Sequence, residues 1–376
     1  MKALIRTTLL FLVAIVAGCG GSKNFIPTPA SIAVMYAVGP GSNNILALAV
    51  KSTGELTPLP VSSFATNPRP VALALHPSKN FVYVANTTSN TVSGFSVDHQ
   101  SGVLTPVGTA LPPTPVGVNP VSVGINSGGQ FLFVLNQGTI APPAPATISV
   151  LSIDPVRGTM TQIAGSPFPT VGSPQSIAVS PTAGFLYVGN GALGTISAFS
   201  IAPSGALTPV AGSPFAAGTT IAGVTIDPKN QFLFAADSAS NNIASFSIQA
   251  SGALTPVAGS PFVTGTTPVS IAVDSTSTFL YSANQGSSNV SGFKISSGAL
   301  TQVSGSPYTT QANGVTTATT PAFVIVDVTN AFVYVGNQGT NAVAGFSMKS
   351  TDGTLTAVTG SPFSQAVGPV WILTTK

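Results

Sequence analysis

PVSIAVDSTSTFLYSANQGSSNVSGFKISSGALTQVSGSPY, residues 268–308, divides into four short runs and the turns between them. PVSIAV, FLYSAN, NVSGFKI and ALTQV are rich in the β-branched and aromatic residues that suit a pleated surface. DSTST, QGSS and SSG between them supply the Gly, Ser, Asp and Asn of tight turns. The unit recurs along the chain with a period of about fifty residues. Its anchor aromatic Phe279 has counterparts in Phe81, Phe131, Phe185, Phe232 and Phe332, with Val34 in the same register, so seven copies are present. Helical periodicity is missing beyond the first eighteen residues.

Four short strands repeated at this period predict an all-β, seven-bladed β-propeller of four-stranded antiparallel blades. Its inner strands are covered on both faces, which accounts for consecutive apolar residues where a one-sided strand would alternate. Pro58, Pro106, Pro209 and Pro256 fall in the outermost runs, where a missing backbone donor is tolerated. The first copy enters at SIAVMYAV and lacks an inner strand, whereas GPVWILTT, residues 368–375, matches one and follows the seventh copy. The C-terminus is therefore expected to complete the first blade and close the ring. LTPVAGSPF, identical at 207–215 and 254–262, reads as an outermost strand, LTPV, followed by AGSPF as the start of the crossing to the next blade, with Phe215 filling the wedge between sheets.

The repeated apolar strand, Asp-Pro or His-Pro, Phe-Leu-Tyr-Val-x-Asn, Ser-x-Phe-Ser-Ile and Gly-x-Leu-Thr together resemble the seven-bladed lactonase family. That family includes the propeller type of 6-phosphogluconolactonase, and the YVTN surface-repeat proteins share much of the pattern. The resemblance covers essentially everything after Ser31. Its fuller signature is Gly-Pro-Arg-His, then His-Pro, then Asn-Glu, and the closest match here is NPRPVALALHPSKNFVYVANT. Pro68, Arg69, His76, Pro77 and Asn86 agree with it. Pro70 and Thr87 stand where the family carries His and Glu. Opening a lactone needs a base to activate water and donors for the oxyanion, and the two lost groups are the evident base candidates.

Candidate site residues follow from the strand ends. Second strands end in Asn86, Asn136, Asn190, Asp237, Asn284 and Asn337, with Gly39 in the first blade. A ring of amides suggests ligand contacts at Asn86 and Asn136, but its recurrence points to a shared structural job in which the side-chain oxygen bonds the following turn. Asp237 is the one carboxylate of the set. Arg69 is the only cation among the residues that precede inner strands, placed either to grip a carboxylate or phosphate bidentately or to lie solvated over a polar rim. Arg69, Asn86, Asn136 and Asp237 are thus the ligand-binding candidates, and Arg69 and Asp237 the catalytic ones. His76 and His99 read as turn residues. No metal site or cofactor is expected, because a lone carboxylate is too few oxygen ligands and GNGALG, 189–194, leads into a strand and not the helix a dinucleotide fingerprint needs. QGTIAPPAPA (137–146) and YTTQANGVTTATT (308–320) vary between blades and lie on the face of Arg69, where recognition usually resides. Few aromatics occur in these loops, which gives no stacking platform there.

Only 5% of residues are charged, against roughly 25% in ordinary domains, and no basic run marks a nucleic-acid footprint. Residues 1–18 have a basic start and a short apolar run, the build of an export signal. VAGC before the chain's only cysteine, Cys19, resembles a bacterial lipobox and implies lipidation of Cys19. The expected layout is a signal peptide at 1–18, a flexible tether at 19–31 and the propeller at 32–376. The function expected is that of an exported, lipid-anchored binding or scaffold module, in the outer membrane or periplasm, using the loop face around Arg69. Its partner would be an envelope protein, a polysaccharide or a small molecule. The alternative is a lactonase acting on a sugar lactone, with Arg69 orienting the substrate and Asp237 or a water moving the proton.

Overall fold

A computed structural model describes residues 31–108, 114–139, 143–182, 184–311, 319–364 and 368–375. They form seven antiparallel sheets arranged as the blades of a propeller. In the sixth blade the strands run Pro268–Val273, Phe279–Asn284, Asn289–Ser296 and Ala299–Gln302 from the axis outward. The first blade draws its inner three partners from Ser31–Val38, Asn44–Lys51 and, across the ring closure, Trp371–Thr375. Trp371 lies opposite Val38 and Thr375 opposite Val34, so the C-terminal strand holds the innermost place. Gly39 replaces the second-strand Asn at this blade for a steric reason: a Cβ there would sit 2.0 Å from the carbonyl oxygen of Gly368. Among the described residues the single helical element is one 3-10 turn, Gln338–Thr340.

Each interface between blades is a separate apolar cluster, and the cluster between the seventh and first blades joins Tyr334 and Phe332 to Met35, Leu48 and Ile372. A second device is repeated at every interface. The turn before each fourth strand carries a glycine in the left-handed region, such as Gly158 at φ 69° and Gly252 at φ 83°. Its bare face packs on the anchor residue of the preceding blade: a Cβ would lie 2.4 Å from Phe81 at Gly158 and 2.5 Å from Phe185 at Gly252. At five of the seven interfaces the carbonyl of the same glycine accepts a hydrogen bond from the buried second-strand tyrosine of the preceding blade. Tyr83 donates to Gly158 at 2.9 Å, Tyr187 to Gly252 at 2.9 Å and Tyr281 to Gly353 at 2.6 Å. Tyr334 of the seventh blade donates to Gly54 of the first at 2.9 Å, which closes the ring by the same contact. Burial pushes the pKa values of these phenols up, so they remain donors at neutral pH.

The AGSPF element differs from the sequence expectation. It does not begin the crossing: Phe215–Ala216 pairs again with the third strand of its own blade, Phe215 opposite Ile196, after Leu207–Pro209 has paired farther along. The fourth strand is thus split, with a cis Ser213–Pro214 bond in the gap. The gap would orphan the third-strand amide of Ala198, and the Ser213 hydroxyl accepts it at 2.9 Å. Ser166, Ser260, Ser306 and Ser361 do the same in four further blades, each at 2.9 Å. A polar group left unpaired there would be costly, which explains why Gly-Ser-Pro recurs. Phe215 packs, partly buried, against the cluster between the fourth and fifth blades, in keeping with its expected wedge position.

Candidate functional site

Arg69 begins as a backbone corner. In five blades the residue before the inner strand adopts a left-handed conformation without being glycine: Arg69 (φ 60°), Asn119 (58°), Ser173 (59°), Thr267 (53°) and Thr320 (44°). Such a corner costs about 1–2 kcal/mol and is held by its neighbours. The Arg69 amide donates to Asn43 Oδ1 at 3.2 Å and its carbonyl accepts from the Thr87 amide at 2.9 Å. Asn90 and Asn241 accept from the Asn119 and Thr267 amides in the same way, both at 2.8 Å. Backbone thus fixes the corner and leaves the side chain free to vary. In blade 2 that side chain is an exposed guanidinium that makes no ion pair among the described residues.

A cavity of about 390 Å³ occupies the channel mouth beside it. All seven inner strands line it. In six blades a β-bulge skips the second residue of the inner strand, as Val269 is skipped between Pro268 and Ser270. Bulges re-aim side chains, and these six positions, together with Val370 just before the C-terminal strand, all reach the cavity. Gln175 is the polar member of the set, exposed and with its amide unbonded among the described residues. The next position inward is small in blades 2 to 6, being Ala72, Ser122, Ser176, Gly223 and Ser270, but aromatic in the last two inner strands. Phe323 and Trp371 stack there at 4.3 Å between ring centres, with planes 25° apart. The aromatic platform absent from the loops is therefore present in the channel wall. Trp371 is the chain's only tryptophan, and the signal for it was visible as a bulky residue in a register that is otherwise small.

The other candidates stand back from this cavity. Asn86 and Asn136 are fully buried and are used within their blades. Their amide nitrogens, not their oxygens, make the repeated contact: Asn86 donates to Ser93 Oγ and Asn136 to Ser149 Oγ, each at 3.0 Å. Asn190 and Asn284 donate to Ser197 and Ser291, each at 2.9 Å. The expected bond from side-chain oxygen to following turn is replaced because the third strand places a hydroxyl directly beside the amide. Asp237, 1% exposed, accepts chiefly from the loop that enters its own blade, Thr219 N at 2.8 Å and Thr220 N at 2.9 Å, and more distantly from the following turn, Ser240 N at 3.4 Å. Gly218 permits this approach, since a Cβ there would fall 2.2 Å from Asp237 Oδ2. Burial pushes the carboxyl up, but the amides of Thr220 and Thr219 outweigh it and hold it below the ordinary carboxylate value.

A depressed folded pKa contributes stability that is present above the unfolded value, about 3.9, and lost as pH falls through the folded one. Asp237→Asn is therefore expected to lower the melting temperature at pH 7 and to flatten its decline on acidification. Parallel acid titrations of melting that superimpose after a constant offset would contradict this.

His76 is 5% exposed at the far end of its strand. Ser78 N donates to its Nδ1 at 3.1 Å, which leaves Nε2 to donate to Gly129 O at 3.0 Å. His99 is exposed and pairs with Asn80 at 2.9 Å. Thr87 spends its hydroxyl on Pro120 O at 2.8 Å. No carboxylate or imidazole is found among the described residues that line the cavity, and no cluster of metal-ligating side chains among the described residues. GNGALG makes a turn into the strand Thr195–Ile201, as its context implied. Gln137 bonds the corner residue Asn119, so the 137–146 segment starts on the face of Arg69. Residues 140–142, 312–318 and Cys19 lie outside the described residues.

The family description "Lactonase, 7-bladed beta-propeller" matches residues 32–121 and 209–316, together more than half of the chain. No curated protein matches it. Among solved structures, a Bacteroides uniformis protein described as a candidate 6-phosphogluconolactonase superposes with a TM-score of 0.75 at 17% identity, over 91% of this chain and 99% of its own. The periplasmic gluconolactonase of Pseudomonas aeruginosa gives 0.74 at 15% identity, over 92% and 99%. Hydrazine synthase of Kuenenia stuttgartiensis gives 0.59 at 16%, over 88% and 99%. At these identities the likeness is one of fold, and the last case shows how different a chemistry the architecture accepts.

Proposed function

This chain belongs to the lactonase family of seven-bladed β-propellers, and on that premise we propose that its channel mouth receives a small lactone, held at its polar end by Arg69 and opened by water. The observation that carries the reading is an unpaired guanidinium on the rim of the chain's central cavity. Water adds to the ring carbonyl, an oxyanion forms, the ring C–O bond breaks, and a hydroxy acid leaves. Arg69 donates to the carbonyl oxygen as charge develops on it. With no titrating base among the described lining residues, the proton is taken by hydroxide from solvent. The hydrolysis rate constant is thus expected to rise about tenfold per pH unit through the neutral range, without the bell of an acid–base pair. Arg69→Ala is expected to lower kcat/KM by about 10- to 100-fold, below the loss for a fully enclosed oxyanion donor because the side chain is exposed. Turnover of glucono-1,5-lactone and a simple γ-lactone by purified residues 30–376, against the buffer rate, tests it. A protein that neither binds nor hydrolyses either lactone sinks it.

A second reading is favoured by Pro70 and Thr87, which stand where the family signature has His and Glu, and by the engagement of Thr87 with Pro120. On that reading the propeller binds a small molecule, polysaccharide or envelope protein at the same face without turning it over. Saturable binding with no hydrolysis above the buffer rate would select it. Either activity would sit in the cell envelope, held by a lipid on Cys19. Labelled fatty acid incorporated into the expressed chain but not into its Cys19→Ala variant tests the anchor.

A further inference from the structure

The cavity's walls say what kind of lactone they suit. Five of the six skipped inner-strand residues are valine or alanine, as is Val370 ahead of the C-terminal strand, leaving Gln175 as the polar one. Below them Ile177, Val224 and Ile271 continue the apolar lining. Ser176 and Ser270 are already engaged, their oxygens accepting the Val224 and Val324 amides of the next blades, each at 3.2 Å. On one side the Phe323–Trp371 stack presents flat apolar surface. Across the ring, in blades 4 and 5, Ser176 and Gly223 offer no such surface: the Ser176 hydroxyl is held by the Val224 amide, and a Cβ on Gly223 would lie 2.8 Å from the Val269 carbonyl oxygen. A polyhydroxylated ring drawn into this channel would bury several hydroxyls with only Arg69, Gln175, Thr225 and the remaining protons of Ser176 and Ser270 to meet them, and buried polar groups need partners. An apolar group meets no such penalty, and pockets of this make-up, apolar with a few convergent polar groups, hold ligands by their apolar bulk.

We propose that the ligand is a lactone carrying an apolar aryl or acyl substituent, with the lactone ring at Arg69 and the substituent inside the channel against Phe323 and Trp371. This rests on the lactone reading of the channel mouth and specifies its substrate class. Gln175, on the blade 4 wall, bonds the ring from its other side. Phe323 is a specificity-determining residue, distinct from the rim group that holds the reacting carbonyl.

Calorimetric titration of γ-phenyl-γ-butyrolactone and of glucono-1,5-lactone into the folded protein tests the assignment, with the fluorescence of the single tryptophan followed in parallel. The phenyl lactone is expected to bind at least about tenfold more tightly and to change Trp371 emission. Phe323→Ser installs the residue that blades 3, 4 and 6 carry at this position, and its circular dichroism spectrum and melting curve check that the fold is kept. That variant is expected to lose most of the preference for the phenyl lactone over glucono-1,5-lactone, and Arg69→Ala to weaken both. Equal or tighter binding of glucono-1,5-lactone, or a preference that survives Phe323→Ser, overturns the substituent assignment while the lactone reading stands. Failure of both lactones to bind removes the lactone reading, and this inference with it.

Discussion

A chain lacking residues 368–376 is expected to lose cooperative unfolding altogether. The strand Trp371–Thr375 is the innermost strand of the first blade, and five residue pairs join it to Ser31–Val38. Ile372 is 1% exposed within the cluster between blades 7 and 1. Trp371 and Leu373 pack on the other side, against the cluster between blades 1 and 2. Each such side chain contributes about 1.5–3 kcal/mol by burial. Their sum, with the ladder, is of the order of a domain's entire stability, about 5–15 kcal/mol. Truncation also bares the strand Ser31–Val38, an apolar edge prone to pair with other chains. Thermal unfolding followed by circular dichroism and light scattering checks this, and an unchanged transition would refute closure by the C-terminal strand. Ile372→Ala alone is expected to cost about 2–5 kcal/mol.

Gly252→Ala has the next largest expected effect, about 2–5 kcal/mol. Gly252 sits at φ 83°, a conformation that costs an L side chain about 1–2 kcal/mol. The added carbon would also lie 2.5 Å from the Phe185 ring in the preceding blade, and overpacking of that kind costs about 1–3 kcal/mol. Tyr187→Phe keeps the backbone and loses only the bond to the Gly252 carbonyl, about 1 kcal/mol. Blades 3 and 5 already carry Phe133 and Phe234 at that place. In blade 5 the Ser245 hydroxyl takes over, donating to Gly298 O at 2.7 Å. Urea unfolding of the two variants separates the contributions; a glycine variant no weaker than the tyrosine one would mean that the interface yields where it is held to be rigid.

The blade pattern was legible because each strand needs residues of one type at one spacing, and seven copies repeat that demand. Closure was legible because GPVWILTT matches a strand missing at the other end. AGSPF was placed in the right blade but given the wrong course, since its serine bonds an amide on a strand fifteen residues back and no local pattern shows which amide is left unpaired. Asn86 and Asn136 could be read from the sequence as ligand contacts or as turn-bonding residues, and the bonds of their amide nitrogens to third-strand hydroxyls were not visible there, because the partner lies on another strand. The contact of Phe323 with Trp371 was hidden: the two residues lie forty-eight positions apart, in strands that become neighbours only when the ring closes.

Local propensity and repetition, acting within about fifty residues, were enough for the sequence alone to determine the strands, their number and the ring. Only the tertiary structure decided that Arg69 meets Gln175, Phe323 and Trp371 around one cavity. Those residues come from different blades, and it is closure about an axis, not any feature along the chain, that turns one side chain from each toward the same space.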